Sequence, residues 1–327
     1  MRTSLMNFDQ IKYPSQLEEH SLALFQYQYN QNPVYRSYCD LINVAPSDVK
    51  KLNDIPFLPI QFFKSHTVSC KQNSAKHVFL SSKTTGQIAS KHHVHNIDLY
   101  IKSFEKGFHF FYGNIESYAL LALLPGYIQN EKSSLIYMAN HLIQKTKHPE
   151  SGFYLEDWDN LIATLNKLEE QGQKTILLGV THALLSGAEK HKLNLHNTLI
   201  METGGMKGMR KEWVRSALHE KLQEGYGVSC VHSEYGMSEL MSQAYSKGEG
   251  RFYCPPWMRI LTRSTEDPFQ VIGIGKTGGL NIIDLANVDS CAFIATQDLG
   301  KVNEDGSFEV LGRFDHAEVR GCNLLVV

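Results

Sequence analysis

Between residues 76 and 265, short apolar runs alternate with amphipathic stretches of helical spacing, and this alternation constrains the fold more than any other feature. Thr175–Val180 (TILLGV) and Thr198–Glu202 (TLIME) are β-branched and leucine-rich runs of strand length. Tyr118–Leu124 is a third, ended by Pro125-Gly126, and His77–Leu80 is a short one. Between and after them, Asn96–Phe110, Trp158–Glu170 and Met209–Gln223 read as helices. Parallel strands need long crossovers, usually helical, so this alternation predicts an α/β fold with a parallel sheet.

The flanks read differently. Residues 1–75 form a mostly helical lead-in: Ser15–Asn30 has helical periodicity, and Pro46 opens a second helix before an extended Ile55–Ile60. Residues 266–327 are β-rich. Phe269–Gly275, Gly279–Leu285, Ala292–Ala295 and Gly306–Leu311 are short pieces split by Gly, Asn and Asp, which suggests an antiparallel, barrel-like region. With no linker, repeat or low-complexity segment, the 327 residues read as one compact unit whose middle, 76–265, is the α/β core.

Composition excludes several classes. A net charge of −2 gives no global field for nucleic acid or anionic membrane, although Lys207–Lys211 is a local basic cluster. The longest apolar run, Ala119–Leu124, is far too short to span a membrane, and Met1–Tyr13 lacks the apolar stretch of a signal peptide. The six cysteines are scattered without a CxxC pair, as expected of reduced thiols in a cytoplasmic protein. His92, His93 and His95 cluster, but a solvated or phosphate-proximal role fits them better than a metal site.

Four segments carry the chemistry. Ser81-Ser82-Lys83-Thr84-Thr85-Gly86-Gln87 follows a strand, and its hydroxyls and backbone N–H groups can wrap phosphate oxygens. Ser90, Lys91 and His92 follow as further groups near the phosphates. In Tyr235-Gly236-Met237-Ser238-Glu239, the ring can offer a face to adenine, the glycine permits close approach, and Glu239 can hold Mg²⁺. In Thr296-Gln297-Asp298-Leu299-Gly300, the Asp298 carboxylate can accept from both ribose hydroxyls. In Gly312-Arg313-Phe314-Asp315, Arg313 can bind ribose or phosphate. Gly204-Gly205 ends a strand and fits a pocket-lining loop, and Thr181-His182 falls where a parallel sheet opens its crevice. Cys322, near Arg320, is a candidate thioester nucleophile. Taken singly, each segment is equally readable as a surface loop, a core tyrosine, a turn residue or an inert thiol.

In this order the four segments resemble the nucleotide motifs of the adenylate-forming enzymes. Pro59-Ile-Gln-Phe-Phe-Lys-Ser-His, Ser90-Lys-His-His-Val, Glu202-Thr-Gly-Gly-Met-Lys and Arg320-Gly-Cys make the chain similar to the LuxE-type acyl-protein synthetase branch. The resemblance implies the superfamily's large N-terminal domain, without the small C-terminal domain that carries a catalytic lysine. It implies ATP and Mg²⁺, activation of a fatty or other carboxylic acid as acyl-AMP, and transfer to a thiol. The acceptor would be Cys322, coenzyme A, or a reductase or carrier partner. One departure stands out: Lys83 occupies a glycine position of the phosphate loop. It either adds a phosphate-facing catalytic charge or marks a degraded loop, so a nucleotide-binding protein without turnover is the rival expectation.

Overall fold

The computed structural model describes residues 2–81, 88–124, 132–155, 157–204 and 215–314. The lead-in comprises α1 (Arg2–Leu5), α2 (Pro14–Gln31), α3 (Pro33–Leu41), β1 (Leu58–Pro59) and α4 (Phe62–Ser65), followed by the hairpin strands β2 (His77–Leu80) and β3 (Lys91–Val94). Next come α5 (Ile97–Tyr112), β4 (Ala119–Leu123), α6 (Ser134–Thr146), β5 (Gly152–Phe153), α7 (Trp158–Glu170) and β6 (Thr175–Val180). The alternation continues with α8 (Thr181–Lys190), β7 (Thr198–Thr203), α9 (Arg215–Tyr226) and β8 (Val231–Tyr235). Seven strands finish the described chain: β9 (Ala244–Ser246), β10 (Arg251–Tyr253), β11 (Met258–Arg263), β12 (Val271–Ile272), β13 (Gly278–Asp284), β14 (Phe293–Val302) and β15 (Phe308–Arg313).

Local chemistry sets the boundaries. Asn32, Asn96, Ser133 and Asp157 each cap a helix by accepting a backbone N–H of its first turn, from Val34, Asp98, Ile136 and Asn160 respectively. Pro14 and Pro33 sit at first helical positions, where the missing N–H costs nothing. Gly113 ends α5 in a positive-φ conformation (φ +80°) that other residues adopt only at a cost. The segment from Pro46 forms a turn and a short 3₁₀ piece, Leu52–Asp54, rather than the expected helix. Asp48 accepts from the Ala45 N–H, as at a helix start, but Asp54 accepts from the N–H groups of Lys50 and Lys51, which a helix from Pro46 would pair with the carbonyls of Pro46 and Ser47.

Thirteen of these strands form one sheet, in the order β12-β11-β13-β14-β15-β10-β9-β8-β7-β6-β4-β5, with β1 beside β14. From β5 to β8 the pairing is parallel, as the alternation predicts, and every residue of β4, β6 and β8 is buried. At β8–β9 the sheet turns antiparallel and stays so through β12. The antiparallel region therefore begins at Ala244, earlier than the residue-266 boundary read from the sequence, and continues the parallel sheet through shared hydrogen bonds. The lead-in is fastened to it: Gln28, fully buried, donates to the carbonyls of Asn287 and Val288 and accepts from the Ala292 N–H.

Candidate nucleotide and acyl site

In an open parallel sheet, ligands bind outside the carboxyl ends of the strands. Here those ends are Val180 of β6, Thr203-Gly204 of β7 and Tyr235-Gly236 of β8. Gly204 adopts φ +79°, a left-handed conformation that turns the chain off the strand.

Beside them lies a second set of residues from far along the chain. The Tyr235 ring packs against Phe252 and Phe308, at centroid distances of 5.9 and 5.4 Å. Its hydroxyl donates to Asp298 Oδ2 at 2.7 Å, and Arg313 Nε donates to Asp298 Oδ1 at 3.1 Å. Asp298 and Arg313 are register partners on β14 and β15, so the sheet itself sets their spacing. Burial, then the Asp298 carboxylate, hold the Tyr235 phenol well above its ordinary pKa, so the hydroxyl stays a donor. Arg313 is 80% exposed and keeps most of its donors for other partners. Three residues singled out separately in the sequence thus form one hydrogen-bonded unit.

Glu239 lies just beyond and is buried. Burial pushes its carboxyl above the usual range, while the Ser90 hydroxyl and the charges of Arg313 and Lys64 pull the other way. A nearly dry carboxylate of this kind suits a divalent cation. Mg²⁺ takes one or two carboxylates plus substrate phosphates rather than an all-protein cage, and among the described residues no group of three or more His, Cys, Asp or Glu could hold a metal. The β2–β3 hairpin brings in the phosphate segment: Ser81 Oγ accepts from the Ser90 N–H at 2.9 Å. His92, expected near phosphates, is buried with Nδ1 2.8 Å from the Ser238 carbonyl oxygen and Nε2 3.2 Å from Asn287 Oδ1. Asn287 Nδ2 donates to the Glu239 carbonyl, so His92 and Asn287 brace the backbone on both sides of the Glu239 Cα.

Two glutamates escaped the sequence reading as individual site residues. Glu202 of β7 collects three hydrogen-bond donors at one buried carboxylate, with His219 close beside them. Arg215 Nη1 and Ser233 Oγ reach Oε1 at 2.7 and 2.9 Å, His219 Nε2 lies 3.6 Å from it, and Thr181 Oγ1 donates to Oε2 at 2.8 Å. Burial raises the Glu202 pKa, but the His219 hydrogen bond, the Arg215 charge and the Thr181 hydroxyl together hold it down to about 2. Thr181, which the sequence places at the opening of the sheet's crevice, donates its hydroxyl to this contact. Glu234 of β8 projects from the opposite face and accepts from Thr203 Oγ1. A signal for both was present in the sequence: a carboxylate inside an otherwise apolar, buried strand.

Ser82, Lys83, Thr84, Thr85, Gly86, Gly205 and Cys322 lie outside the described residues. Among the described cysteines, burial pushes Cys39 up to about 12 and also raises Cys254 and Cys291 well above the ordinary thiol value, which suits inert thiols. Cys230 precedes β8, at the opposite end of that strand from Tyr235. No helix among the described residues is long and apolar enough to cross a membrane.

Comparison with known proteins agrees with this fold. The chain spans 70% of a 2-hydroxyisobutyryl-CoA ligase, solved with 2-HIB-AMP and CoA, over 94% of its own length, with a TM-score of 0.68 and 15% identity. It spans about half, 47%, of ATP-bound MatB from Rhodopseudomonas palustris over 72% of its own length, with a TM-score of 0.54 and 16% identity. At these identities the likeness shows a shared fold. The long-chain-fatty-acid–luciferin-component ligase of Vibrio harveyi is 22% identical over 324 residues, covering 92% of this chain and 84% of that one. The model of the acyl-protein synthetase family LuxE matches residues 11–108 and 135–327, most of the chain, and on that match the protein is a member of the LuxE acyl-protein synthetase family.

Proposed function

We propose that the protein is an acid–thiol ligase that uses ATP to convert a carboxylic acid, in this family a fatty acid, into acyl-AMP and then passes the acyl group to a thiol. The Tyr235–Asp298–Arg313 unit carries this reading. It sets an aromatic ring, a carboxylate able to accept two O–H donors and a largely exposed guanidinium side by side at the strand ends. Adenine lies against Tyr235 with Gly204, Gly205 and Gly236 permitting close approach, the ribose hydroxyls donate to Asp298, and Arg313 reaches ribose or phosphate. Ser81 to Gly86 hold the phosphates, with Lys83 adding a positive charge.

Mg²⁺, held by Glu239, supplies charge neutralisation on the phosphates when bound. The substrate carboxylate attacks the α-phosphorus in line, the bond to the bridging oxygen breaks, and pyrophosphate leaves. A thiolate then displaces AMP from the acyl carbon. Cys322 is the candidate thiol within the chain, and coenzyme A or an acyl-accepting reductase or carrier protein completes the transfer.

Acid-dependent ATP–pyrophosphate exchange with Mg²⁺ tests the first half-reaction, and exchange with one class of acid is the expected result. Measurable ATP binding with no exchange for any acid would leave a nucleotide-binding protein without turnover.

A further inference from the structure

Arg263, the last residue of β11, is buried, and its guanidinium is held by uncharged acceptors. Nη1 donates to the Leu280 carbonyl and to Asn281 Oδ1, each at 2.9 Å, and Nη2 donates to the Thr296 carbonyl. A buried cation costs free energy, so one held inside a sheet by carbonyls calls for a cause. Burial works against its charge, while Tyr38 and the Asp298 carboxylate work in its favour. Gly279 is its register partner on β13, and a Cβ there would sit 2.5 Å from Arg263 Cζ, so the glycine makes room for the guanidinium to cross towards β14.

What it reaches is a break in the β13–β14 ladder. Gly279 pairs with Leu299 and Asn281 with Ala295, so Leu280 alone stands opposite Thr296, Gln297 and Asp298. Such a bulge re-aims side chains out of the regular alternation, and this one carries Asp298 to Tyr235 and Arg313. Carbonyls that a regular ladder would pair go to other donors here. Thr296 Oγ1 and Arg263 share the Leu280 carbonyl, Arg263 takes the Thr296 carbonyl, and the Asp298 N–H donates to Thr296 Oγ1 at 3.1 Å. The Phe314 N–H donates to the Gln297 carbonyl at 2.9 Å, and the Phe314 ring lies over Arg263, 5.6 Å from Cζ to its centroid. One guanidinium thus meets both the bulge that carries Asp298 and the residue that follows Arg313.

We infer that Arg263 is a positioning residue for nucleotide recognition: by bonding the Thr296 and Leu280 carbonyls it fixes the bulge that turns the Asp298 carboxylate towards the ribose hydroxyls, and through Phe314 it steadies Arg313. Register in a sheet is unforgiving, because a slip of one residue moves a side chain to the other face. Without the guanidinium two carbonyls of the bulge lose a donor, and β14 is free to shift Asp298 away from Tyr235. Arg263 therefore acts through Asp298 rather than on the nucleotide. The inference rests on the ligase reading of Asp298 as the ribose contact, and it adds a residue that lies outside all four motifs.

The test is calorimetric binding of ATP, 2′-deoxy-ATP and 3′-deoxy-ATP to the full chain with Mg²⁺, with thermal unfolding of each variant as the folding control. The wild type should bind ATP about tenfold or more tightly than the weaker deoxy analogue, since a hydroxyl donating to a carboxylate makes a charge-assisted bond. Arg263→Met should shrink that ratio towards one, and Arg263→Lys, which keeps a cationic donor, should retain part of it. In an Asp298→Asn background, Arg263→Met should add no further change, because its route to the ribose is already cut. A folded Arg263→Met that keeps the wild-type ratio would overturn the inference and leave the ligase reading intact. Should Arg263→Met fail to fold, Gly279→Ala decides: its methyl displaces the guanidinium while Arg263 stays in the chain, so a shrunken ratio supports the inference and an unchanged one overturns it. Failure of both variants to fold would make Arg263 a residue of the fold alone and overturn the inference. Equal binding of the three nucleotides by the wild type would overturn it together with the ribose role of Asp298, and no binding of any would overturn the ligase reading as well.

Discussion

Glu202 and Glu234 stand on neighbouring strands, one register step apart, and face opposite sides of the same sheet. Both are buried, and their surroundings differ in kind. Glu202 is enclosed by donors from three elements: Thr181 at the start of α8, Arg215 and His219 on α9, and Ser233 on β8. Arg215 in turn lies over the Phe252 ring, 5.1 Å from its centroid, and Phe252 packs on Tyr235. Glu234 is held by Thr203 and acts electrostatically on Tyr100, Tyr112 and Tyr245. On that side the Tyr245 hydroxyl and Gln243 Oε1 are buried without a hydrogen-bond partner among the described residues. A completed network like that of Glu202 rigidifies a scaffold.

The largest effect that can break this contrast is expected at Glu202. Glu202→Ala strands the Arg215 charge beside a cavity and should cost about 3–5 kcal/mol, read from urea unfolding. Acid titration gives the sign separately. The Glu202 pKa is depressed in the fold, so its contribution is complete above the unfolded value near 4.5 and disappears as pH falls towards 2. Glu202→Gln should therefore flatten the acid limb of the stability–pH curve by up to about 3 kcal/mol.

His92 runs the other way. Burial lowers its pKa to about 4, so the fold favours the neutral ring, and stability should fall as pH drops from about 6.5 towards 4. His92→Gln should remove much of that slope in the same titration.

Next in size is Tyr235→Phe, which takes from Asp298 one of its two protein donors. It should raise KM for ATP several-fold and cost about 1–2 kcal/mol of stability. On the Glu234 side the effect on folding should be smallest. Tyr245→Phe deletes an unpaired oxygen and should change stability by less than about 1 kcal/mol, in either direction. A loss as large as that of Glu202→Ala would make the two faces alike and end the comparison.

Legibility followed the same division. Thr175–Val180 and Trp158–Glu170 were bounded to the residue, because a buried parallel strand is apolar at every position and its helix shows a clean stripe. The strands at Ala244, Arg251 and Met258 were not singled out. The first two are three residues long and carry Ser, Arg and Tyr, and the third, Met258–Arg263, is broken by Arg259, Thr262 and Arg263, so none offers a continuous apolar run. The helix expected after Pro46 gives way to a turn in which the Asp54 side chain takes the Lys50 and Lys51 N–H groups.

For the site, the sequence by itself determined the parts and their order. Tyr235, Glu239, Asp298 and Arg313 were singled out as candidates because chemistry ties residue type to task over a few positions, and a local motif is visible without coordinates. Only the tertiary structure decided how they meet. Asp298 on β14 reaches the Tyr235 hydroxyl on β8 across sixty-three residues of sequence and across the three strands, β15, β10 and β9, that separate them in the sheet order. His92, open as a phosphate contact in the sequence, became a brace for Glu239 once the hairpin was folded against Asn287. Whether a buried glutamate is satisfied, like Glu202, or stands beside unpaired groups, like Glu234, depends on register and facing helices. Those are sums of long-range contacts, which no stretch of neighbouring residues encodes.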